Sequence, residues 1–472
     1  MRKCNMLLNA FNVFLVLIIA VLYFLNCDYQ FMSIQWITII AVIINVLILL
    51  RHYYNYKSFK SAYFLFQFLS LPFLYGQLVV RYIFNYIPRD TFDMSRLVST
   101  EYTIKAVFLI ILCQLFLDLG YNLYNKNNKN NNFFDDSIID YKLFKRLGYV
   151  LIIISIIPTF INYYEFIKSC LVYGYSGKHL VNTYGLSSIF SKIVPFFYIG
   201  ILCLLYGYKQ NRRITTILIY FSIIFYGSQM FFGNRGMPLL MVVCIIWFYH
   251  YYIKKIKFKK AIVLVICSFF IITLMNIIRE NRRYGIEKWI GNIYTIMSDS
   301  IVQNNQLFDI NYEVGTTIYP ITYTLEHIPK DINYKYGINY LYSIYSIIRV
   351  NMSSSRDDVF IEKMNIAEEI VNHSGATFGG SYIQEAYANF GWFCLVFTFI
   401  FGILLKKMDI YLFASFSPIS HILITYFLTS LLWIIRNTMI SLPRELVWYI
   451  LSTYLLYKLI GRKKNEKSRI ES

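Results

Sequence analysis

Apolar runs of about 18–25 residues, separated by short polar stretches, recur along the chain, and that is the length a helix needs to cross a bilayer. The pattern predicts twelve spans, near residues 6–25, 33–50, 61–80, 103–120, 147–164, 187–207, 214–232, 237–253, 261–278, 387–405, 411–435 and 444–460. In lipid each backbone must satisfy its own hydrogen bonds, so runs of this length predict helices. The short alternating segments of a membrane β-barrel are missing. The first run, Met6 to Leu25, follows Arg2 and Lys3 but is too long for a signal-peptide core. It continues as Asn26-Cys27-Asp28 with no small-residue cleavage site, so it reads as a retained first span.

Composition agrees with that pattern. Of 472 residues, 57% are hydrophobic and only 15% charged, against roughly 25% charged in soluble domains. A soluble enzyme is excluded. So is a nucleic-acid binder, despite the net charge of +19, because the basic residues are dispersed between spans rather than gathered on one face. The eight cysteines form no CxxC pair and no metal-ligand spacing, and most sit in apolar runs as small core hydrophobes. Walker, GxGxxG and HExxH patterns are absent. Arg356-Asp357-Asp358 and Glu368-Glu369 read as solvated or capping charges. No cofactor, nucleotide or metal is therefore expected.

Orientation follows from the Lys and Arg distribution. With a cytoplasmic N-terminus, more than half of the 45 basic residues fall in short inner segments, firmest at Lys254–Lys260. Both termini are then cytoplasmic. Residues 121–146, including the low-complexity Asn125–Asn132, form a polar cytoplasmic loop. Residues 279–377 form a long extracytoplasmic loop between the ninth and tenth spans, the one subdomain inserted in a single bundle covering 1–472. Its tyrosines, Trp289 and the apolar stretch Tyr340–Val350 argue for folded short helices lying over the outer face.

Candidate chemistry gathers at the outer boundary, whereas the span centres are almost free of ionisable residues. Arg279, Arg282 and Arg283 share one face of a helix emerging from the ninth span. Arg235 occupies the short Gly233-Asn234-Arg235-Gly236 turn, and Arg436 and Arg444 flank the turn between the last two spans. Arginine offers a permanent charge and a planar fork of donors suited to phosphate oxygens. Each is equally readable as a helix-end anchor snorkelling to headgroups. Ser381, Glu385 and Asn389, spaced by four, form a polar stripe leading into the tenth span. Glu385 reads either as a general base or as the partner of an arginine. His327 and His373 in the outer loop are further candidate catalytic bases, or plain surface histidines.

These residues resemble the Wzy-type polymerases of bacterial surface polysaccharides (O-antigen and capsule), which are related in plan to the O-antigen ligases. The matching pieces are Gly233–Gly236, the long late outer loop, Tyr336-Gly337-Ile338-Asn339-Tyr340, and the segment from Gly379-Gly380-Ser381 through Gly391. The resemblance implies an all-α polytopic membrane protein of GT-C-like fold in the bacterial cytoplasmic membrane. It also implies a substrate of oligosaccharide repeat units on undecaprenyl pyrophosphate, presented at the outer leaflet. In that setting the arginines would hold the pyrophosphate, and Glu385, His373 or His327 would take the acceptor proton. A flippase and a chain-length regulator are implied partners, alongside membrane lipids and no nucleic acid. A lipid-linked oligosaccharide flippase is the rival reading, but it would place buried charges near the bilayer midplane. A ligase would use the same chemistry, and a non-catalytic scaffold would have little use for the outward arginines.

Overall fold

Long apolar runs become helices in the computed structural model, which describes residues 2–29, 32–88, 97–124, 140–173, 186–231, 236–257, 306–348, 366–375, 379–413 and 418–470. In chain order the helices are α1 (Arg2–Tyr29), α2 (Ile34–Tyr56), α3 (Ala62–Leu78), α4 (Thr100–Leu123), α5 (Tyr141–Tyr173), α6 (Leu186–Ile193), α7 (Pro195–Gly207), α8 (Arg212–Phe231) and α9 (Gly236–Phe248). The four helices α10 (Gln306–Val314), α11 (Ile318–His327), α12 (Ile338–Ile348) and α13 (Ile366–Ser374) follow. The last are α14 (Tyr382–Phe390), α15 (Cys394–Phe413), α16 (Pro418–Trp433) and α17 (Ser452–Ile470), the latter entered through Leu442–Arg444 and a π-helical stretch, Glu445–Leu451. The described residues contain no strand.

Within the described residues the expected spans fall largely on helix; 261–278, and 414–417 of the span 411–435, lie outside the described residues. Among the described residues, seven helical segments are long and apolar enough to cross a membrane: Ile34–Tyr56, Ala62–Ile83, Thr100–Leu123, Tyr141–Cys170, Ile189–Gly207, Gly236–Ile253 and Tyr382–Leu412. Asn12–Asn26 and Pro418–Trp433 are apolar but shorter. The outward surface is apolar too, with Ile153, Ile157, Ile217 and Ile224 exposed on α5 and α8. That is the dress of helices facing hydrocarbon, and the chain is a multi-pass membrane protein.

At the centre stands α4, whose side chains from Ala106 to Leu115 are all buried. A helix buried all round must be covered on every side, and α1, α2, α11 and α15 supply that cover. The contact with α15 is the tightest. A Cβ on Gly120 would lie 2.0 Å from the Phe399 carbonyl oxygen, and one on Gly402 would lie 2.0 Å from that of Leu117. Only glycine at both positions lets the two backbones approach this closely.

Two expectations need correction here. The break expected after residue 405 is absent, and α15 runs on through Lys406 and Lys407 to Phe413. Their amines need not end the helix, because they snorkel onto rings: Lys406 donates to the Tyr56 hydroxyl at 2.5 Å and Lys407 lies over Tyr124. The second correction concerns buried charge. Polar groups do not gather at the outer boundary alone, because Asp118 of α4 and Asp409 of α15 are buried at the opposite, lysine-rich end. Asp118 accepts from Tyr63 Oη at 2.6 Å, Asn122 Nδ2 at 2.8 Å, Arg51 Nη1 at 2.9 Å and Asn12 Nδ2. Asp409 accepts from Ser61 Oγ at 2.5 Å, the Ala62 amide at 2.6 Å and Tyr121 Oη at 2.8 Å. Together they tie α1, α2, α3, α4 and α15 at one end.

Candidate functional site

Gly379 and Gly380 begin the construction at the other end of the bundle. Gly379 has φ +82°, a conformation that costs a side-chain-bearing residue but not glycine. A Cβ on Gly380 would meet Thr438 at 3.1–3.2 Å. The pair therefore runs close against residues 434–438: the Gly380 amide donates to the Arg436 carbonyl at 3.4 Å, and that of Tyr382 to Ile434 at 2.9 Å. Ser381 then caps α14 through a capping box with Gln384. The polar stripe expected at Ser381, Glu385 and Asn389 is real, and all three residues are buried.

Glu385 is fully buried yet forms no ion pair among the described residues. Its Oε2 accepts the Met439 amide at 2.5 Å, and its Oε1, also buried, has no hydrogen-bond partner there. Neither Arg436 nor Arg444 pairs with it, and the other candidate arginines lie outside the described residues. Arg436, half-buried in the same segment, donates to Thr316 Oγ1 at 3.4 Å. Both candidate side chains are therefore tied to one short stretch, 436–439.

The motif Tyr336–Tyr340 docks directly on α14. The amides of Lys335 and Tyr336 donate to the carbonyls of Ala388 and Asn389 at 2.9 and 3.2 Å, and the Gly337 amide donates to Asn389 Oδ1 at 2.9 Å. This sets α12 beside Glu385. Tyr340 stacks on Phe390 and Phe397, and its hydroxyl is buried without a partner, as are both polar atoms of Asn339 and Nε2 of Gln384. Burial first, and the Glu385 charge second, push the Tyr340 phenol well above its ordinary value. An orphaned buried polar group costs about 1–3 kcal/mol, so several at one place mark a spot shaped for water or a polar ligand.

From there α12 reaches the segment holding Arg444, where Trp448 Nε1 donates to the Ile347 carbonyl at 2.7 Å. Arg444 has a buried Nε with no partner and lies within electrostatic reach of Lys192 and Glu445. The Glu445 carboxylate is held by the Tyr426 hydroxyl. Arg436 and Arg444, expected for their sequence positions, are thus linked to Glu385 through α12, α14 and the 434–445 segment. Arg235, Arg279, Arg282 and Arg283 lie outside the described residues.

The two histidines come together. His327, at the end of α11, meets Asp331 Oδ2 at 2.5 Å through Nδ1. His373, in the last turn of α13, is hydrogen-bonded to the Tyr323 hydroxyl at 2.6 Å, and the two imidazole centroids are 5.1 Å apart. Neither ring bonds Glu385. Sequence reading did not place Asn339, Tyr340 and the Met439 amide beside the candidate site. Only the Tyr336–Tyr340 motif hinted at the first two, and a backbone amide leaves no trace in a sequence.

With this geometry in place, the family can be given. The family model for O-antigen polysaccharide polymerase Wzy matches residues 8–465, nearly the whole chain, and the chain belongs to that family. No curated protein and no solved structure matches it.

Proposed function

We propose that this polymerising membrane glycosyltransferase joins oligosaccharide repeat units carried on undecaprenyl pyrophosphate, at the outer leaflet of the bacterial cytoplasmic membrane, with both termini inside. In the reaction, a hydroxyl on one lipid-linked unit attacks the anomeric carbon of the growing chain. The new C–O bond forms as the bond from that carbon to the pyrophosphate oxygen breaks, and undecaprenyl pyrophosphate leaves with the electron pair. Glu385 Oε1 takes the acceptor proton, while Oε2 stays fixed by the Met439 amide. Arg436 and Arg444 face the negative charge growing on the leaving group, where a fixed cation lowers the barrier most directly. The sequence adds Arg235 and the Arg279/Arg282/Arg283 face to that set, and the 279–377 segment as a cap over the GT-C-like bundle.

One observation carries the reading: a buried carboxylate with one oxygen anchored to the short segment that bears a half-buried arginine, and the other oxygen unpartnered among the described residues. A structural carboxylate would be saturated; a general base needs a free oxygen within reach of the proton. The glycosyl-pyrophosphate bond supplies the driving force, so neither nucleotide nor metal is required for the transfer. A flippase that delivers the units and a regulator of chain length are the expected partners.

The test is the glycan ladder of cells lacking this chain, complemented with wild type, Glu385→Gln or Arg436→Ala at matched membrane abundance. Loss of the chain should leave single repeat units at the surface. Glu385→Gln should cut polymerisation about 10²–10⁴-fold and Arg436→Ala about 10²–10³-fold. Lipid-linked units held on the cytoplasmic side would instead identify a transporter, and a full ladder with both variants would remove this site.

A further inference from the structure

Outside the Glu385 site, a second cluster joins two segments that the sequence keeps far apart. His327 ends α11, Asp331 follows in the next turn, and His373 sits in the last turn of α13. One ligand atom from each, two imidazole nitrogens and a carboxylate oxygen, lie within 4.8 Å of one another. Ligands around a single tetrahedral Zn²⁺ at about 2.0–2.2 Å stand about 3.3–3.6 Å apart. Closing the cluster therefore takes about an ångström of side-chain movement. All three side chains reach the surface, where such a movement meets little packing: His373 is exposed, Asp331 is 49% exposed and His327 24%.

We propose that His327, Asp331 and His373 form a binding site for a divalent transition metal of the zinc class, which staples α11 to α13. Two imidazoles and one carboxylate suit zinc, whereas magnesium and calcium prefer all-oxygen sets. Three protein ligands leave a fourth position for water. His373 is also oriented as a metal ligand should be. Its Nδ1 is held by the Tyr323 hydroxyl at 2.6 Å, so Nε2 is the nitrogen it would offer the ion. The neighbouring Lys330 amine is engaged by the Tyr102 hydroxyl at 2.6 Å.

The clasp is separate from the transfer chemistry, since neither histidine contacts Glu385. Metal would bind most tightly with both rings neutral and fade as protons compete for them.

The measurement is a Zn²⁺ titration by calorimetry of chelator-stripped, full-length protein in detergent, purified without a polyhistidine tag, beside a thermal unfolding scan. Wild type should bind one more Zn²⁺ per chain than the His327→Ala/His373→Ala double variant, and only wild type should unfold at a higher temperature when Zn²⁺ is added. Tyr323→Phe, which leaves all three ligands in place, should keep the site but weaken it about tenfold. Mg²⁺ should not compete. Equal stoichiometry and affinity in wild type and the double variant would overturn the proposal and leave a plain hydrogen-bonded His–Asp pair. So would a wild type whose unfolding ignores Zn²⁺.

Discussion

Both ends of this bundle bury carboxylates, and they treat them in opposite ways. At the lysine-rich end, Asp118 receives four donors and Asp409 three, so neither has an oxygen left idle. At the other end, among the described residues, Glu385 receives one donor on Oε2 and none on Oε1, and the buried hydroxyl of Tyr340 beside it is unpartnered as well. A saturated buried carboxylate has exhausted its chemistry and can only hold helices together. An unsaturated one keeps its desolvation cost unpaid and its reactivity available. The saturated pair, Asp118 and Asp409, thus sits at one end of α4 and α15, and the unsaturated Glu385 sits on α14 at the other.

The largest effect expected from that division is on stability, at the saturated end. Asp118→Ala leaves the Arg51 guanidinium, only 11% exposed, without its carboxylate. Removing one partner of a buried pair costs about 3–5 kcal/mol, a large share of the 5–15 kcal/mol that typically holds a fold together. Detergent-extracted Asp118→Ala should therefore unfold at a much lower temperature or fail to accumulate in the membrane. Asp118→Asn, which keeps the acceptor from Tyr63, should lose less. Wild-type abundance and melting in Asp118→Ala would break the comparison.

At the other end the same class of substitution should behave in reverse. Glu385→Gln gives up a charge that has no ion-pair partner among the described residues and keeps an acceptor for the Met439 amide. Its melting should stay within about 1 kcal/mol of wild type while polymerisation collapses. If it melted like Asp118→Ala, Glu385 would be another staple. Tyr340→Phe comes next in size. Its hydroxyl has no partner among the described residues to lose, so the fold should be neutral or slightly more stable. A drop in polymerisation of about tenfold would place that hydroxyl on the substrate, and no drop would place it in the packing alone.

What could be read without coordinates follows the same division. Helices were legible because hydrocarbon imposes length and apolarity, so α2, α4 and α7 fall where the runs lie. Glu385 was legible because a carboxylate in an apolar helix, four residues from Ser381 and from Asn389, breaks the local pattern. The staples were not legible. Arg51 and Asp118 are 67 residues apart, Ser61 and Asp409 are 348 apart, and no local spacing announces either pair. Lys406 and Lys407 misled for a related reason: charge at a span end normally marks its boundary, and here tyrosine rings absorb it. His327 and His373 each looked solitary, because only folding brings α11 and α13 together.

The smallest expected effect tests how complete the saturation is, through Lys60, the residue before Ser61. Its amine lies over the Tyr252 ring at 4.6 Å, and burial pushes its pKa down from 10.5 to about 8. The sign follows from proton counting. Between about pH 8 and 10.5 the unfolded chain holds this proton and the folded chain does not, so rising pH favours the folded state across that window. Below about pH 8 both forms are charged, and the folded state bears the full cost of a half-buried ammonium. Lys60→Met removes that cost. It should raise stability at neutral pH by no more than about 1 kcal/mol once solvent screening is allowed for, and the advantage should shrink as the pH climbs towards 10.5. Melting curves of the two proteins across that range decide it. A variant less stable than wild type at neutral pH would mean that the cation–ring contact outweighs desolvation, and Lys60 would then join Asp118 and Asp409 as a staple of that end.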